Sequence, residues 1–138
     1  MTRLTRFGIA MEEALLRDFD DVIRKKGYTN RSEAFRDLVR ESLVKAEWSS
    51  NREVAGVISM VYDHHQRELV TKLLDIQHGS HGVILATQHI HLDHHNCLEV
   101  IVTKGRAQVI ERLAEKLKAA RGVKHVNVNM ATVGKGLA

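Results

Sequence analysis

The chain has one cysteine, no proline and few aromatic residues: three phenylalanines, two tyrosines and one tryptophan in 138 positions. A single cysteine cannot close an internal disulfide, which excludes a disulfide-stapled secreted fold. Long apolar runs are also missing. The longest, Val83 to Ala86, falls far short of the roughly 18 residues of a membrane span. Arg3 and Arg6 are followed by no continuous apolar stretch, so no secretory leader is expected. These absences point to a chain kept in a reducing, cytoplasmic compartment with no membrane partner. No paired carboxylates, oxyanion motif or glycine-rich phosphate loop stand out, so the chain reads as a non-enzyme.

What the sequence does have is histidine. Eight of its nine histidines (His64, His65, His78, His81, His89, His91, His94 and His95) fall within a window of 32 residues; the ninth is His125. Charged residues make up 28% of the chain and apolar residues 43%, a globular composition. The net charge is +4, which mildly favours an anionic partner such as nucleic acid.

The pattern divides the chain in two. Leu4 to Met11 alternates as a strand, with Phe7, Ile9 and Met11 on one face and Leu4, Arg6, Gly8 and Ala10 on the other. A helix is predicted over Glu12 to Lys26, stopped by Gly27. A second starts at Asn30, a capping residue with Glu33 three positions on. Its apolar stripe runs to Ala46 and breaks at Ser49-Ser50-Asn51. One strand and two helices cannot bury a self-sufficient core, and a lone strand has no ladder partner. It is expected to pair with a second chain as an antiparallel ribbon. Residues 1–48 are therefore read as a first domain that pairs between chains, 49–52 as a linker and 53–138 as a second domain.

In that second segment, strands are predicted over Val54–Tyr62, Gly82–Leu92, Cys97–Lys104 and Val123–Thr132. Helices are predicted over His65–Gln77 and Arg106–Ala120, and Asp93-His94-His95-Asn96 reads as a tight turn. This βαββαβ order is the ferredoxin-like (ACT-like) split arrangement, giving an α+β fold class for the whole chain. Strand parity puts His89, His91 and Cys97 on one face beside the hairpin turn, with Glu99 placed to hydrogen-bond a ligand histidine. Leu98, Val100 and Val102, with Ile84, Ala86, Ile90 and Leu92, are expected to face the core. That leaves the histidines and Cys97 on the open, helix-free face. Two imidazoles and a thiolate are a metal half-site. His78, His81, His94 and His95 are candidates for a fourth ligand, and Ni(II), Cu(II) and Zn(II) all remain open. Plainer readings exist: surface histidines on a ladder, and a small buried cysteine.

A ribbon fits the major groove, where Arg6 is the outward residue able to hydrogen-bond a base. The start of the second helix, Asn30, Arg31 and Ser32, could hold a phosphate. A plain dimerisation strand is the alternative.

Taken together, RFGIAM, GYTNRSEAFRDLVR, VYDHH, IQHGSHGVILATQHIHLDHHNCLEVIVTKG and GVKHVNV resemble the nickel-responsive regulator family, NikR, over about residues 4–132. The resemblance implies a ribbon-helix-helix repressor of nickel uptake that binds a palindromic DNA operator. It implies a homotetramer, a dimer of dimers, with Ni(II) held by His89, His91 and Cys97 of one chain and His78 of a neighbour. It also implies a second, potassium-like cation site, to which Glu33 and Asp37 would contribute. Gly8 and Ala10 depart from the polar residues usual at those outward positions. The extra histidines His64, His65, His81, His94 and His95 could form secondary metal sites, but they read more plainly as exposed turn and helix residues; the spacing assigns His125 no role. Two other classes stay open: a metal-storing oligomer, and a ribbon-helix-helix regulator of copper, cobalt or zinc.

Overall fold

The computed structural model describes residues 3–138. These form two compact units: the chain up to Leu43 together with Gly136–Ala138, and Val44–Lys135.

In the first unit, helix α1 spans Glu13–Lys25 and helix α2 begins at Arg31. Gly27, at φ +87°, ends the first helical segment, with its amide donating to Arg24 O and the Tyr28 amide to Ile23 O. A residue with a Cβ is strained in this conformation, so glycine is the natural stop. Asn30 caps α2 through its Oδ1, which accepts the Glu33 amide at 2.9 Å. The Glu33 carboxylate does not return the bond; it pairs with Arg36. The strand predicted over Leu4 to Met11 is not formed. Residues 3–12 are exposed and carry no ladder. One chain offers no strand to pair with, and an isolated strand does not hold itself. Phe7 packs edge-on against Phe35, with ring centroids 5.6 Å apart. Among the described residues of this unit, the buried apolar side chains are Ile23 and Ala34, while Phe7, Ile9, Leu15, Val22, Leu38 and Val39 stay exposed.

Helix α2 runs on to Ser49, and its last turns belong to the second unit. There follow β1 (Glu53–Asp63), α3 (Arg67–His78), β2 (Ile84–His91), β3 (Asn96–Arg106), α4 (Ala107–Ala119) and β4 (Val123–Met130). The predicted βαββαβ order is formed, with no end shifted by more than two residues. The four strands make an antiparallel sheet in the order β2-β3-β1-β4. Strand β3 thus lies between β1 and β2, as a split βαβ arrangement requires.

The core lies between one sheet face and the helices. Val54, Ile58, Met60 and Tyr62 of β1 point into it, with Cys97, Ile101 and Thr103 of β3, Leu69 and Leu73 of α3, and Ile110, Leu113 and Leu117 of α4. Strand β2, whose residues are almost all exposed, lies past the edge of this cover.

This corrects the expected sheet facing. Cys97, Glu99, Ile101 and Thr103 are on the buried face, and Leu98, Val100 and Val102 are on the open one. The reason is register. Strand β3 is apolar on both parities, so its own alternation cannot choose a face. Its neighbour chooses. Ile58, Met60 and Tyr62, the bulkier set on β1, sit opposite Ile101, Glu99 and Cys97. Burying that set carries Cys97 and Glu99 inward.

Trp48 closes one end of the core. It is 3% exposed, and its indole N–H donates to Ala131 O at 2.9 Å. The ring lies over Gly56, where an added Cβ would be 2.9 Å from the ring carbon Cη2. Gly56→Ala should therefore cost about 1–3 kcal/mol by forcing the indole out of place. Urea denaturation checks this, and an unchanged midpoint would mean that Trp48 is not seated there.

Candidate metal centre

The antiparallel ladder between β2 and β3 sets His89 opposite Glu99 and His91 opposite Cys97. Opposed residues share a face, so all four project to the same side. The turn between these strands is tied by Asp93. Its Oδ1 accepts the backbone amides of His95 at 2.8 Å and Asn96 at 2.7 Å. The Asn96 amide group, with those backbone donors, holds the Asp93 carboxyl well below the usual carboxylate range.

Glu99 is the unusual residue. It is 1% exposed, and a buried carboxylate is tolerable only when its oxygens are hydrogen-bonded. Three groups meet it. The Tyr62 hydroxyl donates to Oε2 at 3.0 Å. The Gln77 side-chain amide donates to Oε1 at 3.1 Å. His89 Nε2 lies 3.1 Å from Oε1. Burial, and next the Glu99 charge, push the Tyr62 phenol far above its ordinary range, so it stays a donor.

The His89 ring lies between this carboxylate and the thiol. Nδ1 faces the Cys97 Sγ at 3.8 Å and the Tyr62 hydroxyl at 3.3 Å. An imidazole nitrogen thus sits beside a free, buried thiol. A carboxylate lies against the other ring nitrogen, the kind of neighbour that commonly orients a metal-binding histidine.

The other donors are arranged differently. His91 stacks on His64, with centroids 4.5 Å apart and the rings 5° from parallel. His64 Nε2 is buried with no hydrogen-bond partner among the described residues. His89, His91 and Cys97 share one end of one sheet face, but their donor atoms do not all close to within 4.8 Å. His78 is exposed at the last residue of α3, immediately after Gln77, and its carbonyl lies 3.1 Å from His81 Nδ1. Within one chain it is not gathered with the other three. Among the described residues, the one trio of His, Cys, Asp or Glu whose donors do lie within 4.8 Å is Asp63, His65 and His95.

The residues singled out in the first unit are mostly engaged. Arg31 makes a two-pronged pair with Asp20, Nε to Oδ1 and an Nη to Oδ2, both at 2.8 Å. The pair holds the Asp20 carboxyl below its ordinary range and the guanidinium above its own. Asn30 serves as the helix cap, and Ser32 is exposed beside it. Arg6, Gly8 and Ala10 lie on the exposed segment that precedes α1. Asp37 accepts the Tyr28 hydroxyl at 2.6 Å and an Arg40 Nη at 2.8 Å. With Glu33 paired to Arg36, both carboxylates face arginines.

Sequence reasoning missed Tyr62, Gln77 and His64. Tyr62 could have been found from the parity of β1 once its bulkier face was taken as the inner one. Gln77 follows from α3, whose last turn brings a polar residue over the buried carboxylate. Nothing in the spacing announces the stacking of His64 on His91, because one lies in the turn after β1 and the other on β2.

Comparison with known proteins agrees with this architecture. Residues 55–131 match the family described as the NikR C-terminal nickel-binding domain. Three similar proteins are named as nickel-responsive regulators. One, from Syntrophus aciditrophicus (strain SB), is 50% identical over 135 residues, covering 98% of each chain. One from Chlorobium limicola (strain DSM 245 / NBRC 103803 / 6330) is 51% identical over 134 residues, covering 97% of this chain and all (100%) of that one. One from Desulfovibrio desulfuricans (strain ATCC 27774 / DSM 6949 / MB) is 49% identical over 138 residues, 100% of both. Among solved structures, an uncharacterized protein of Thermotoga maritima has a TM-score of 0.52 at 16% identity, covering 56% of this chain and 96% of that one; at that identity the likeness concerns the fold alone. Matched along its whole length by regulators of this kind, and over the second unit by their nickel-binding domain, the chain belongs to the nickel-responsive regulator family, NikR.

Proposed function

We propose that this protein is a nickel-responsive, DNA-binding transcriptional repressor that controls nickel uptake. Ni(II) would be held by His89, His91 and Cys97 of one chain and His78 of a neighbour, in a cytoplasmic homotetramer. The observation that carries the reading is the placing of the His89 ring between the buried Glu99 carboxylate, 3.1 Å from Nε2, and the Cys97 thiol, 3.8 Å from Nδ1. Three nitrogens and a thiolate suit square-planar Ni(II). When bound, the metal supplies a link between subunits. The chain's own residues supply orientation: Glu99 fixes one imidazole, and Tyr62 and Gln77 hold Glu99. His78, exposed at a helix end, is suited to reach another chain.

Two exposed apolar surfaces support the oligomer. In the first unit, Phe7, Ile9, Leu15, Val22, Leu38 and Val39 are the residues a ribbon-helix-helix dimer would bury, and in one chain they remain exposed. In the second, Ile90, Leu92 and Val102 lie on or beside the open face of the ferredoxin-like sheet. In the dimer, residues 4–11 would pair as a two-stranded ribbon in the major groove. Arg6 would read a base, and Gly8 and Ala10 would allow close approach without side-chain hydrogen bonds. The amides at the start of α2, near Asn30 and Ser32, would meet phosphate.

Three measurements test the reading. Cys97→Ala should abolish the sulfur-to-metal charge-transfer absorption of the nickel-loaded protein, whereas a surviving band would rule out the thiolate. Glu99→Gln should weaken nickel binding roughly 10–100-fold while leaving the ligand spectrum in place. Unchanged affinity in a calorimetric titration would show that Glu99 does not orient His89. Arg6→Ala should cost about 1–3 kcal/mol of specific DNA binding, read by footprinting on the protein's own upstream region. An identical footprint at the same protein concentration would remove Arg6 from base readout.

A further inference from the structure

Four histidines outside the proposed nickel set gather at one end of the sheet, and the backbone brings them there. Strand β1 ends at Asp63, whose ladder partner is Asn96 at the start of β3. His64 and His65, which follow Asp63, therefore come alongside His94 and His95, which precede Asn96. The His64 amide donates to His95 O at 3.1 Å and ties the two segments together. The Asp63 Oδ1 accepts the His65 amide at 2.9 Å and fixes the next turn of chain.

One donor atom each of Asp63, His65 and His95 lies within 4.8 Å of the other two. His65 Nδ1 is 3.9 Å from the Asp63 Oδ1. The His94 ring sits 5.1 Å from that of His65 and 5.0 Å from that of His95, centroid to centroid. Lys124, the ammonium nearest this corner, is held by Asn96 Oδ1 at 2.6 Å. The bonds that tetrahedral metal ions form, near 2.0–2.2 Å, require donors about 3.3 Å apart. Small rotations of exposed imidazoles cover the difference.

We propose that Asp63, His65 and His95 form a second transition-metal site, independent of Cys97, with His94 as its fourth donor. Two or three imidazoles and one carboxylate, without a thiolate, suit a borderline divalent ion such as Zn(II), Ni(II) or Cu(II). Every donor comes from one chain, so this site fills without a neighbouring subunit. That separates it from the proposed intersubunit nickel site, on which it does not depend.

The test uses the full-length chain carrying His89→Ala and Cys97→Ala, which removes the proposed nickel set. Zn(II) is titrated in calorimetrically. The expected result is one zinc per chain, with binding weakened at least tenfold by adding either His95→Gln or Asp63→Asn. His125→Gln, a substitution on β4, should leave the titration unchanged. His95 is an exposed turn residue, so its variant should keep the fold, which circular dichroism verifies; should Asp63→Asn unfold, His65→Gln takes its place. Cu(II) in the same background should show electron-spin coupling to at least two nitrogens and lose one in His95→Gln. Absence of a one-per-chain site, or a site untouched by both His95→Gln and the second variant, would overturn the proposal. So would a nitrogen count indifferent to His95→Gln.

Discussion

A carboxylate buried beneath two helices must find hydrogen bonds or it destabilises the fold, and Glu99 meets that constraint in a way that arranges everything around it. Its oxygens take up Tyr62 from β1, Gln77 from α3 and His89 from β2. Three separate elements are tied to one residue of the central strand pair. Loss of one partner from such a set strands a buried polar group, which is far costlier than the net worth of the bond. The same carboxylate lies 3.1 Å from His89 Nε2, while His89 Nδ1 faces Cys97. Stability and metal-binding geometry thus draw on one set of contacts. The thiol is buried as any small apolar residue would be, yet the ring beside it is half in solvent.

Much of the rest of the molecule is incomplete as a single chain. Its first unit buries almost none of its large apolar side chains, and its N-terminal segment has the alternation of a strand without a strand to pair with. Surface of this kind is what the proposed assembly of several copies would cover. The proposed metal set has the same character: two donors are in contact, one lies opposite on the ladder, and His78 stands apart at a helix end. A ligand that binds only the assembled form stabilises that form by mass action. If the site is completed by assembly, as proposed, the protein would respond to metal through its quaternary state.

The helices and the four sheet strands were legible in the sequence because each has a clear period and a stop: Gly27 after α1, Asp93 and Asn96 at the hairpin, Gly122 before β4. Parity correctly grouped His89, His91, Cys97 and Glu99. It could not say which way that group faces. Leu98, Val100 and Val102 look like a core set from β3 alone, and only the pairing with Ile58, Met60 and Tyr62 reverses the reading. Facing in a sheet is a property of all its strands together. The segment from Leu4 to Met11 alternates as a strand does but finds no strand to pair with in one chain, and the proposed dimer would supply it from a second copy. The Asp63, His65 and His95 trio had the opposite problem. Its residues are 30 positions apart, and a long-range register pair, Asp63 with Asn96, brings them together.

The central claim is that nickel and DNA bind the same assembled conformation. Linkage then requires that each strengthen the other by an equal factor. The direct measurement is an equilibrium nickel titration of the full-length protein, with and without the DNA fragment it protects in footprinting. The account predicts tighter nickel binding in the presence of that fragment, by the same factor that nickel tightens DNA binding. Superimposable titrations with and without DNA would contradict it.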